Sequence, residues 1–200
     1  MNFIFSFLFS FAGSLTPGTI NLTAVQLGLE HKTRHAWRLA LAAAIMEYVY
    51  SWLAVVFEKW ITSNPVVIKN FQLIAAIVML TLGTLSLLSV SKPVPLVQRF
   101  SESGFRRGFI LGVLNPLSMP YWIGVTAYLK SQHWIELNSA IQLHTYLLGV
   151  SAGVFTLLVL VAYLAKKVVT VLESRKTTLM KIPGILMIGL GIFALVRYLT

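Results

Sequence analysis

Residues 3 to 29 form an apolar run long enough to cross a bilayer, and Pro17-Gly18 interrupts it near its middle. Proline lacks an N–H and clashes with the preceding turn, and glycine has little helical preference. A helix broken inside hydrocarbon leaves backbone groups without partners. Such breaks are tolerated only where protein encloses them or a watery cavity lies beside them. Thr16, Thr19 and Asn21 surround this one with polar groups. The pattern returns 99 residues on, where Gly112-Val113-Leu114-Asn115-Pro116 matches Gly13-Ser14-Leu15-Thr16-Pro17. Two interrupted helices in corresponding positions of two halves are the sequence mark of a transporter's binding site.

Apolar runs of this length recur, and six spans are expected. They cover about Phe3 to Leu29, Trp37 to Phe57, Val66 to Val90, Arg107 to Leu129, Ser139 to Ala165 and Ile182 to Leu199. The first breaks at Pro17-Gly18, and the fourth is expected to be interrupted by both Pro116 and Pro120. No connection is long enough for a soluble domain. The expected fold is an all-α integral membrane protein of six transmembrane helices, one membrane domain over residues 1–200. Repeat one covers about 1–91, repeat two about 105–200, and a cytoplasmic linker about 91–106 joins them. Three spans per half is an odd number, so the halves insert in opposite orientation, as an inverted repeat.

Composition agrees. Of the 200 residues, 57% are hydrophobic and 11% charged, whereas a soluble domain carries about 25% charged residues. The net charge of +10 does not read as nucleic-acid binding, because the basic residues flank apolar spans and no nucleic-acid motif is present. Without cysteine there is no thiol redox chemistry, iron–sulfur cluster or Cys-ligated zinc. No GxxxxGK[ST] or HExxH motif occurs, so neither P-loop ATP hydrolysis nor a zinc peptidase of that kind is indicated. The first 30 residues contain no Lys or Arg. The first span is therefore read as retained rather than as a cleavable signal peptide.

Charge also sets orientation. Twelve of the 16 Lys and Arg follow spans one, three and five, among them Lys32, Arg34, Arg38, Arg106, Arg107, Lys166 and Lys167. Lys59, Lys69, Lys130 and Arg197 fall on the other side. The positive-inside rule puts the twelve in the cytoplasm and both termini outside it.

Glu47 is the sharpest single residue. It lies about 15 Å into span two at 1.5 Å per residue, near mid-bilayer, with no basic residue within one turn. A carboxylate there must be protonated, wet or paired. Ala36, Ala40, Ala43, Ala44, Ser51 and Ala54 share its side of the helix, and small residues mark helix–helix contact. Glu47 thus points into the bundle, toward the broken helices, with Tyr50 and Ser51 one turn away. It is either a proton-loading group or a neutral side chain that hydrogen-bonds a neighbouring helix.

Each break offers a second tool. The half-helix after Pro17-Gly18 starts near Thr19 with N–H groups and a positive dipole end at the midplane. That end suits a carboxylate. Ser118 is placed to cap the corresponding start after Pro116, and Asn21 and Asn115 can each donate and accept. The plainer alternative is a packing kink with local capping. His31 and His35 have metal-ligand spacing but stand among Lys32, Arg34 and Arg38, so no metal site is expected. His144 is either a gate or relay, or a hydrated interfacial residue. Tyr121 and Trp122 either line the pathway or pack. A small-residue stripe on span five (Thr145, Gly149, Ala152, Gly153, Thr156) fits internal packing or a homodimer.

The runs Leu15-Thr16-Pro17-Gly18-Thr19-Ile20-Asn21, Gly28-Leu29 and Arg34 resemble the first signature of the lysine exporter superfamily, roughly TPGPN…GL…GxRxG. The run Gly108-Phe109-Ile110-Leu111-Gly112-Val113-Leu114-Asn115-Pro116, ending in Tyr121-Trp122, resembles its second, roughly GFxxGxxxNPxxxxFW. The resemblance covers nearly the whole chain, including the Gly-rich last span with Gly184, Gly189 and Gly191. Departures are Thr19 for the second proline, Ala40 to Ala44 where the family is Gly-rich, and Tyr121 for phenylalanine.

This resemblance implies a multi-pass exporter in the bacterial inner membrane, moving amino acids or similar small solutes on an ion gradient. An acid in span two is common in the family, and Glu47 is similar in position. The expected substrate site is Thr16, Pro17, Gly18, Thr19, Asn21, Asn115, Pro116, Ser118 and Tyr121, with Glu47 coupling to protons and with no cofactor or metal. The alternatives are a metal-cation exporter on the same scaffold, which one carboxylate and no cysteine serve poorly, or a channel formed by assembly.

Overall fold

A computed structural model describes residues 1–15, 18–63, 104–115 and 118–170, with further residues within 73–84 and 185–196. Thr16, Pro17, Pro116, the linker at 91–103 and most of the expected third and sixth spans lie outside the described residues. The described part is all-helical: α1 (Asn2–Gly13), α2 (Thr19–Leu29), α3 (Thr33–Thr62), α4 (Gly104–Val113), α5 (Ser118–Ser131) and α6 (Ala140–Tyr163).

The first expected span is two helices, α1 and α2, separated at residues 14–18 where the sequence puts its Pro-Gly pair. Gly18 precedes α2 in an extended conformation, φ −101° and ψ 177°. In the other half, α4 and α5 flank Asn115 and meet at 68°. Pro120 does not interrupt, contrary to expectation. It is the third residue of α5, where the missing N–H belongs to the first turn and has no intrahelical partner to lose. Among the described residues, Thr33–Trp60 and Ala140–Tyr163 are each long and apolar enough to cross a membrane, and the bent pair α4–α5 makes a third.

Both helices that follow a break end alike. His31 and His133 adopt left-handed φ values of 55° and 57°. After α2, His31 N–H donates to Gly28 and Lys32 N–H to Leu27, at 3.1 and 2.9 Å; after α5, His133 N–H donates to Lys130 and Trp134 N–H to Leu129, both at 3.0 Å. Each is a Schellman closure, made here with histidine where glycine is usual.

The long helices α3 and α6 form the centre. α1 lies along α6, where Gly149 and Gly153 face Phe3, Ser6, Phe7 and Ser10 so closely that a Cβ on either glycine would collide with the α1 backbone. Ser10 Oγ donates to the Val150 carbonyl at 2.6 Å; such an interhelical bond in a membrane averages about 0.6 kcal/mol. Two of the five small residues assigned to packing or dimerisation are therefore filled by α1. On the opposite side, Gly104, Gly108 and Gly112 of α4 sit one turn apart against His35, Leu39 and Met46 of α3. The alanine stripe of α3 is interior, with Ala36, Ala40, Ala43 and Ala44 buried together with Ala24, Leu158 and Ala162. Trp37, Leu41, Ile45, Trp52 and Val56 stay exposed on the outer face of α3. Small residues inside and large apolar ones outside is the arrangement a helix takes in lipid.

Candidate functional site

α3 carries Glu47 one turn beyond Ala43 and Ala44, on the side covered by α4 and α5. The close approach of α4, permitted by Gly108 and Gly112, brings the second break against this carboxylate. Ser118, the first residue of α5, donates its hydroxyl to Glu47 Oε1 at 2.5 Å. Trp122, one turn further on and 2% exposed, donates Nε1–H to Oε2 at 2.7 Å. Asn115 Nδ2 donates to Ser118 Oγ at 2.7 Å, which continues the chain of donors back across the break. Ser118, the expected helix cap, is thus a bridge between Asn115 and Glu47. Each carboxylate oxygen holds one neutral donor and keeps further acceptor capacity. Glu47 has no ion-pair partner among the described residues, and it is only partly buried.

Two tyrosines tie the break regions across the chain. Tyr121 OH donates to the Phe9 carbonyl of α1 at 2.7 Å, and its ring lies where a Cβ on Gly13 would be. Tyr50 OH, from the turn after Glu47, donates to the Val113 carbonyl in the last turn of α4 at 2.7 Å. Val113 is one of the carbonyls a helix end leaves without an intrahelical partner. Tyr121 and Trp122 pack edge to face at 5.1 Å, and Trp122 meets Tyr146 the same way at 6.1 Å. Tyr146 and Thr126 hydroxyls pair at 2.9 Å behind it, both fully buried. The indole that holds Glu47 is therefore fixed on several sides.

At the first break, Asn21 Nδ2 donates to the Ser14 carbonyl at 2.6 Å, closing the gap between α1 and α2. Thr19 opens α2, its carbonyl accepting from Thr23 Oγ1 at 2.8 Å. Gly18 offers no side chain to cap α2, and a Cβ there would meet open space among the described residues. The structure joins Glu47, Asn115, Ser118 and Tyr121 into one connected set. Gly18, Thr19 and Asn21 form a second, linked to the first through α1 by Tyr121.

His144 pairs with Tyr48, Nδ1 to hydroxyl, at 2.6 Å with the rings stacked. No group of three or more His, Asp or Glu able to hold a metal occurs among the described residues. His31 ends α2, and beside it Glu30 accepts from Lys32 Nζ at 2.9 Å and Gln26 Nε2 at 2.8 Å. These two hydrogen bonds, Lys32 first, hold the Glu30 carboxyl below its ordinary range.

One ion pair has no local signature in the sequence. Glu58, 4% exposed near the far end of α3, takes both oxygens to Lys130 Nζ of α5 at 2.7 and 3.0 Å. Its signal was present as an acid and a base at matching ends of spans two and four. Nothing in their spacing says that they meet.

Residues 11–198 match the family of LysE type translocators. The chain is also 23% identical over 145 residues to the "Putative amino acid efflux protein YcgF" of Bacillus subtilis (strain 168), covering 70% of this chain and 69% of that protein. No solved structure matches.

Proposed function

We propose that this chain, which belongs to the LysE type translocators, is a proton-coupled exporter of amino acids or similar small zwitterions. Membership makes it a membrane transporter rather than an enzyme. The efflux protein it resembles supports outward transport and an amino-acid substrate. The observation that carries the mechanism is Glu47: a carboxylate inside an apolar bundle, held by Ser118 and Trp122 and without an ion-pair partner among the described residues.

In this reading the substrate ammonium and a proton compete for Glu47. Protonation removes the charge that attracts the ammonium, so release of one accompanies uptake of the other. The substrate carboxylate meets the helix starts at Thr19 and Ser118, flanked by Thr16, Pro17, Gly18 and Pro116. Asn21, Asn115 and Tyr121 add hydrogen bonds once their present contacts open. Ser118 and Asn115 now donate to Glu47 and to Ser118 respectively, so binding exchanges those contacts for contacts with the substrate. Six spans in two inverted halves, 1–91 and 105–200, would rock about the site, with both termini outside the cytoplasm of a bacterial inner membrane. The matching helix–break–helix units and their histidine closures support the repeat.

The test is efflux from proteoliposomes loaded with a pool of amino acids, with and without an opposing proton gradient. Gradient-dependent loss of a few amino acids, absent in Glu47→Gln, is the expected result. Equal efflux and equal pH dependence in the variant would refute the role of Glu47. Efflux of a divalent cation instead would refute the substrate class.

A further inference from the structure

The basic end of α3 carries an open recess away from Glu47. Thr33, Arg34, Trp37, Arg38 and Tyr163 line this recess of about 430 Å³ between the start of α3 and the end of α6. Arg34 and Arg38 are one turn apart on one face, both exposed, and neither has an ion pair or hydrogen bond among the described residues. The positive end of the α3 dipole adds to their field. Two arginines lining one recess suit a phosphate, which can accept from both at once. Trp37 Nε1 donates to Tyr163 OH at 3.4 Å, so the aromatic wall carries its polar edges at the same level. Trp and Tyr with polar edges level and rings below is the habit of residues at a membrane–water boundary.

What lies below the recess chooses among phosphate-bearing ligands. Trp37 stands edge-on to Phe155 at 5.5 Å. Leu41 and Ile45 follow Trp37 at four-residue intervals on α3, and Leu160 precedes Tyr163 on α6, all exposed. The cationic recess therefore opens onto an apolar strip along the outer wall of the bundle. A soluble anion has no use for that strip, whereas a phospholipid fills both parts. We infer that the Arg34–Arg38–Trp37–Tyr163 recess seats the headgroup of an anionic phospholipid, its acyl chains lying along Leu41, Ile45 and Leu160. Basic pockets between helices at membrane boundaries take such headgroups by the same chemistry.

The experiment uses the purified full chain in mild detergent. Lipid binding is read by native mass spectrometry and by thermal unfolding, with phosphatidylglycerol, phosphatidylcholine and inorganic phosphate as separate probes. Phosphatidylglycerol should bind and raise the unfolding temperature more than phosphatidylcholine. The Arg34→Gln/Arg38→Gln variant should lose at least tenfold in phosphatidylglycerol affinity, each basic group near an anionic lipid being worth about fivefold. Arg34→Lys/Arg38→Lys, which keeps the charge and loses the planar forks, should recover part of it. Equal binding of the two lipids, or equal phosphatidylglycerol binding by the Gln variant, overturns the proposal. So does inorganic phosphate alone reproducing the stabilisation, because the ligand is then a soluble anion. Should the double variant fail to fold, Arg38→Gln and the Lys pair give the same comparison. Amino-acid efflux is not the readout, so this result and that for Glu47 stand or fall separately.

Discussion

Ser118 reaches Glu47 across 71 residues of chain, its hydroxyl 2.5 Å from Oε1. The first residue after one helix break thereby touches the lone acid in the middle of α3. In the proposed function, a proton or a substrate arriving at Glu47 acts directly on the bent helix pair α4–α5 through this hydroxyl.

Glu47→Gln keeps the shape of the side chain and one acceptor oxygen but removes the charge. A hydrogen bond to a charged group is worth about 1.5–3 kcal/mol. Apparent affinity for an amino acid should therefore fall roughly 10- to 100-fold, and the dependence on the proton gradient should vanish. Proteoliposome efflux at several substrate concentrations measures both.

Ser118→Ala and Trp122→Phe each remove one donor to the same carboxylate. Both should weaken transport and alter its pH profile in the wild-type background, and neither should do so on top of Glu47→Gln. Residues acting through one group are coupled by about 0.5–3 kcal/mol. A double-mutant cycle with additive effects would show that the two donors serve packing alone.

Gly108 and Gly124 make opposite predictions. A Cβ at Gly108 strikes the Leu39 backbone, and one at Gly124 meets nothing within 4 Å among the described residues. Gly108→Ala should destabilise by about 1–3 kcal/mol, the usual cost of overpacking. Gly124→Ala should be neutral or stabilise by up to about 1 kcal/mol, the helical preference of alanine over glycine. Thermal unfolding in detergent separates them.

Lys130 sits over a nearly fully buried Glu58. Lys130→Met removes the ammonium that both Glu58 oxygens hold and should destabilise by up to about 3–5 kcal/mol. Glu58→Leu/Lys130→Met should cost less than Lys130→Met alone, because the buried charge is removed with its ammonium. Unfolding midpoints of the two variants check the order.

Glu30 bears on pH dependence by exclusion. Its carboxyl is held below the ordinary carboxylate range, so its contribution is present above that range and is lost only as pH falls through the lowered value. It stays ionised throughout pH 5 to 8. Glu30→Gln should therefore leave the shape of the transport–pH curve in that interval unchanged.

The sequence by itself determined the helical spans that the described residues contain, the position of both breaks and the inward side of α3. Each is a local matter: the length of an apolar run, the missing N–H of a proline, the 3.6-residue spacing of small side chains. Pro120 departs from expectation because a proline is disruptive only beyond the first turn, and the sequence does not announce where α5 begins. Glu47 was legible as an acid facing the bundle. Its partners Ser118 and Trp122, the reach of Tyr121 to Phe9, and the union of Glu58 with Lys130 were decided by tertiary structure. Periodicity says which face of a helix turns inward, but not which residue of another helix will stand opposite. That register depends on how closely two backbones can approach, and here Gly104, Gly108 and Gly112 let α4 lie against His35, Leu39 and Met46 and so bring the second break level with the carboxylate.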